Sequence, residues 1–246
     1  MFQARAQQQR TIPGAVATVG VNERVAFLRR TYAHLAGAIV AFTLLAYALV
    51  NSSFAPRFMT WMAGNGRGFN LNMLLVFGGF LLSGFIAERL ARSETSRALQ
   101  YLGLALEVTA FAVLLTPILY VANNFYVHDP HLIAKAGLFT LMIFGGLTAT
   151  VFITRKDFSF LRGILMIGSF AALGIIVAAM LFGFHLGTIF SVAMIVLMAG
   201  WVLYQTTLIM GYFRPSNHVA AALMLFSTIA TLFLYVLRLL MELNRR

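Results

Sequence analysis

Apolar runs separated by short polar or basic links organise this chain. They fall at about 34–50, 70–87, 99–122, 133–154, 161–184, 186–204 continuing to 213, and 219–241. About 20 apolar residues, each rising ~1.5 Å, cross a hydrocarbon core of about 30 Å, so each run predicts a membrane-spanning helix. The fold class expected is an all-α polytopic membrane protein with seven transmembrane helices. Polar interruptions inside these runs are few. Glu107 interrupts the third run within YLGLALEVTAF, Gln205 the sixth within WVLYQTT, and Thr228 the seventh within LFSTIATLF. A polar group without a partner in lipid costs several kcal/mol by rough estimate, so such residues face other helices or a wet cavity.

Composition agrees with this pattern. The chain is 61% hydrophobic and only 10% charged, where soluble domains carry about 25% charged residues. With no cysteine, disulfides, thiolate metal sites and cysteine nucleophiles are all excluded. A net charge of +11 would suggest nucleic acid in a soluble protein, but here the basic residues flank apolar runs and report topology instead. Residues 1–30 are Gln-rich and basic, with Pro13 and Gly14 breaking any helix. They predict a disordered tail ahead of a transmembrane domain at 31–246. The tail lacks a cleavable signal pattern, so the first run is expected to stay as an anchor. With the N-terminus cytoplasmic, 12 of the 18 Lys and Arg fall on the inner side, which favours seven crossings with the C-terminus outside. The basic ELNRR end dissents, and a re-entrant last segment is the alternative.

Smaller features have ordinary readings. Gly78-Gly79 and Gly145-Gly146 each precede a charged exit by ten residues, a spacing open to internal duplication or to close helix approach. Gly183 and Gly187 read as turn residues around Phe184-His185. His128 and His131 flank Asp129 and Pro130 in a loop with no third ligand nearby, so a turn is expected rather than a metal site. Lys135 and Lys156 lie near span ends, which argues against a retinal Schiff base. No hydrolase elbow, zinc helix or phosphate loop occurs, so neither an enzyme nor a cofactor is expected. Arg238 is expected to reach headgroups, and Phe54, Phe58 and Trp61 to anchor a surface loop.

Specific strings carry a family resemblance over about residues 27–241. FLRRTYAHLAGAIVAF, TATVFITRKDFSFLRG, the LYQT tetrapeptide and AALMLFSTIATLFLYVLRLL resemble the bacterial branch of the Bax-inhibitor family. Arg155, Lys156, Asp157, Phe158 and Ser159 are similar to its KRDFS signature, where Asp or Ser suits a helix cap. The resemblance implies a seven-helix fold with a central last helix, a pH-sensitive calcium leak, effects on stress pathways, and a bacterial inner-membrane location. The family's leak is attributed to two facing aspartates in LYDT-like and LYLDIINLF-like motifs. At those positions this chain has Gln205 and Thr228, and Thr231 replaces the asparagine. Gln and Thr hydrogen-bond but neither titrate nor offer carboxylate to calcium, so the family's leak should be absent or weakened and a neutral Gln–Thr latch is expected.

Glu107 survives as an acid about 13 Å into the third run, at a depth matching Gln205 and Thr228. It is expected to face the same cavity as the single titratable group of a pore, with Arg89 the nearest cation by depth. The alternative is a carboxyl hydrogen-bonded within the bundle. Two function classes follow. One is a calcium or proton leak channel; the other is a membrane scaffold that modulates a protease or stress-response complex. The partners expected are the lipid bilayer, transported ions and membrane proteins, with no nucleic acid.

Overall fold

A computed structural model describes residues 16, 18–64, 71–93, 96–126, 129–154 and 156–244. Among these residues all regular structure is helical. In chain order the helices are α1 (Val21–Val50), α2 (Phe54–Ala63), α3 (Leu71–Ala91), α4 (Arg97–Phe125), α5 (Leu132–Thr154), α6 (Arg162–Phe182), α7 (Thr188–Gly211) and α8 (His218–Leu243). All but the ten-residue α2 are long and apolar enough to cross a membrane.

The first span starts earlier than hydropathy indicates. Residues 21–30, whose charges predict a tail, are helical. Phe27, Thr31, Leu35 and Ala38 form one buried stripe at helical spacing, which Arg29 and Arg30 on the exposed side obscure in any average over the sequence. Glu23 in the first turn suits the positive end of the helix. Just ahead, buried Val16 donates its N–H to the Phe213 carbonyl at 2.8 Å, tying this stretch to the exit of α7.

α8 is the axis of the bundle. It packs against α1, α3, α4, α5 and α7, and 72% of its apolar window is buried, against 11% for the fifth span, which contains α6. Ala220, Ala221 and Ala222, all buried at its start, let neighbouring backbones come close where lipid provides no hydrophobic drive. Edge-to-face rings then link four helices. Phe226 of α8 meets Phe42 of α1 at 6.0 Å and Phe111 of α4 at 5.7 Å, and Phe111 meets Phe80 of α3 at 4.9 Å.

Glycine matters where a neighbour fills the missing side chain. Gly78, Gly79, Gly145 and Gly146 have nothing within 4 Å of an added Cβ, so close helix approach does not account for them. It occurs instead at Gly103 of α4, where a Cβ would lie 2.5 Å from the Ala87 carbonyl oxygen and 2.8 Å from the Ala91 nitrogen of α3. Gly183 closes α6 in the left-handed region at φ 73°, and Gly187 precedes α7.

Candidate functional site

Two adjacent residues of α8 reach two different helices. Thr228 donates its hydroxyl to Gln205 Oε1 of α7 at 2.8 Å, with both side chains buried. Ser227 donates to Glu107 Oε1 of α4 at 2.6 Å. Consecutive residues on a helix diverge by about 100°. Glu107 and Gln205 therefore contact separate faces of α8 at one level, and are joined through its backbone instead of to each other.

Glu107 is only 4% exposed. Its second oxygen, Oε2, has no hydrogen-bond partner among the described residues. It lies over Gly84 of α3, where a Cβ would sit 3.6 Å away. Gly84, Ala87 and Ala91 recur at helical spacing along the face of α3 turned to α4, and Gly103 and Glu107 are one turn apart on α4. The tight contact at Gly103 thus holds the helices together beside the carboxyl group.

Arg89 is exposed and lines a surface cavity of about 530 Å³ with Phe85, Glu88 and Leu99. Its neighbour Glu88 bonds Arg92 at 2.6 Å. Thr231 turns its hydroxyl back to the Ser227 carbonyl at 2.8 Å, bonding within its own helix as Thr commonly does.

The signature stretch builds the entry to α6. Asp157 Oδ1 accepts the Ser159 N–H at 2.8 Å, opening the 3₁₀ turn Ser159–Leu161 that leads into the helix. The Phe158 N–H reaches Thr207 Oγ1 of α7 at 3.4 Å. Lys156 is exposed, and Arg155 lies outside the described residues. Asp157 thus caps a turn, as its residue type suggests.

Other polar groups differ from expectation. Arg238 also bonds within the protein. It donates to the Leu186 carbonyl, in the non-helical link before α7, and to Glu242 Oε1 at 3.3 Å, because that free carbonyl needs a donor. His131 is exposed and His128 lies outside the described residues. Asp129 instead accepts from Lys135 Nζ at 2.8 and 2.9 Å, and this bond holds its carboxyl below the ordinary carboxylate range. At the opposite end, His34 of α1 and His218 of α8 bring their rings to 5.0 Å, and His34 Nε2 bonds the Tyr101 hydroxyl at 3.0 Å. Distance in sequence hides that cluster, as it hides Ser227. Among the described residues no three His, Asp or Glu form a metal-holding group.

The family described as "Inhibitor of apoptosis-promoting Bax1" matches residues 24–246. Mouse protein lifeguard 4 is 27% identical over 239 residues, which cover 94% of this chain and 91% of lifeguard 4. An uncharacterized protein of Pseudomonas aeruginosa is 32% identical over 119 residues, 47% of this chain and 53% of that protein. An uncharacterized membrane protein of Vibrio cholerae is 33% identical over 130 residues, 49% of this chain and 56% of that protein. The chain thus spans about half the length of the two bacterial relatives and nearly all of the mouse one.

Proposed function

The chain belongs to the Bax-inhibitor family of membrane proteins, and on that premise we propose that it is a cation or proton leak channel in which Glu107 is the titratable group and the Gln205–Thr228 bond a neutral latch. The observation that carries this reading is the Glu107 carboxyl itself: buried, bonded through one oxygen to the central helix, and unpartnered at the other. A carboxyl inside a bundle is expensive and marks ion or proton pathways by default. Proton gain or loss at Glu107 changes what Ser227 donates to, and so changes the joint between α4 and α8. The charge of the links favours an N-terminus on the cytoplasmic side, and the bacterial relatives support a bacterial inner membrane.

A second reading has its own observation. The Gln205–Thr228 clamp is uncharged at every ordinary pH and pairs the Thr228 hydroxyl with the Gln205 carboxamide oxygen, which suits a scaffold that modulates a protease or stress-response complex without transporting. Calcium and proton flux into proteoliposomes, measured across about pH 5 to 8, separates the two. The channel reading expects flux that titrates once in the natural chain and is lost in Glu107→Gln. Absence of flux at every pH from correctly folded protein refutes it and leaves the scaffold.

A further inference from the structure

A groove of about 510 Å³ lies between α1 and α5, with α4 behind and α8 as its floor. α1 and α5 scarcely meet directly, so the groove opens sideways toward the bilayer. Along α1 it runs from Ile39 to Asn51, twelve residues or about 18 Å. One leaflet's share of the hydrocarbon core is about 15 Å. Its polarity changes along that length. Asn51 and Asn123 stand at the mouth, where α1 and α4 end, while Ile39, Leu141 and Phe226 line the deep end at mid-membrane.

We propose that this groove is a lipid site that seats one acyl chain of a phospholipid, with its ester region at Asn51 and Asn123. The carboxamide N–H groups donate to ester and phosphate oxygens without requiring a charged headgroup. The groove's length matches the depth of one leaflet and its lining is mostly apolar below the mouth, which suits a single acyl chain. The phenyl ring of Phe42 on the α1 wall meets Phe233 of the floor edge-on at 6.3 Å, which gives the groove a fixed aromatic surface. On the α5 wall, Gly137 has nothing within 4 Å of an added Cβ, so this position leaves room that a chain occupies.

The test is photo-crosslinking of the full chain, reconstituted in phosphatidylcholine vesicles with a phosphatidylcholine carrying a diazirine at mid-chain. Peptide mass spectrometry should locate adducts on Phe233 and its neighbours in α8, as well as on lipid-facing Ile164, Ile167 and Phe170 of α6. Gly137→Phe on one wall and Thr43→Phe on the other each plug the groove. Thr43 bonds only its own helix, at the Ile39 carbonyl, so its loss is mild. Each folded plug variant should lose the α8 adducts and keep those on α6. Adducts confined to the outer faces in the natural chain, or α8 adducts that persist in both plug variants, overturn the proposal.

Discussion

Gly103→Ala tests the contact that sets the α3–α4 distance. The added Cβ would lie 2.5 Å from the Ala87 carbonyl oxygen, 2.8 Å from the Ala91 nitrogen and 3.1 Å from Leu90 Cβ. Two of these neighbours are backbone and cannot swing aside. Relief to 3.0 Å requires the helices to part by at least 0.5 Å along that contact. Overpacking of this kind costs about 1–3 kcal/mol, while Ala for Gly inside a helix returns roughly 0.5–1 kcal/mol. Gly78→Ala is the matched control, since it carries the same helix gain with nothing within 4 Å. The difference between the two variants isolates the contact at about 1–3 kcal/mol. For a chain of this size, a thermal midpoint moves about 2–4 °C per kcal/mol. Melting of both variants in the same detergent micelle should place Gly103→Ala below the natural chain and Gly78→Ala at or above it. Equal midpoints for the two variants would refute the argument, since the α3–α4 distance would then not depend on the missing side chain.

Thr228→Val removes the hydroxyl that donates to Gln205 Oε1 and should lower stability by about 0.6–1.7 kcal/mol; adding Gln205→Leu should restore part of it, read by the same melts. Trp201→Phe deletes the 3.0 Å bond from Trp201 Nε1 to Ser169 Oγ, and hydrogen exchange should quicken in α6 while α4 stays unchanged. The Asp129–Lys135 link holds the Asp129 carboxyl below its ordinary value of 3.8. Its stabilising effect is therefore full above that value and lost as pH falls through the lowered one. Melting between about pH 2 and 6 should show a smaller acid decline in Asp129→Asn than in the natural chain.

Span count and fold class are legible in the hydropathy pattern because lipid requires a backbone satisfied within each helix, and only long apolar runs meet that requirement. Starts are less legible: Arg24, Arg29 and Arg30 mask the stripe from Phe27 to Ala38 that carries α1 back to Val21. The depth of Gln205, Thr228 and Glu107 follows from counting residues, but the faces they occupy depend on helix rotation, which seven weakly amphipathic spans do not encode. Ser227 is inconspicuous for a similar reason. Serine inside a helix commonly bonds its own backbone, and Ser227 also reaches the Leu223 carbonyl at 3.1 Å. Paired glycines draw attention in sequence, yet it is the isolated Gly103 that makes the close backbone contact, while a Cβ added at Gly168 or Gly200 would meet leucine side chains at 2.9 and 2.7 Å. A missing Cβ shows where approach is allowed and leaves open which helix takes advantage of it.

The position of α8 has a consequence for biosynthesis. Every other described span leaves the ribosome before it, so the ring that surrounds the axis enters the bilayer without its centre. During that interval Glu107 waits without Ser227 and Gln205 without Thr228. Assembly is then the entry of a core into a waiting ring, and translation of the final helix becomes its committing step. A nascent chain stalled before α8 presents unpaired polar groups to the membrane, which is the form that insertion chaperones and membrane proteases are placed to find.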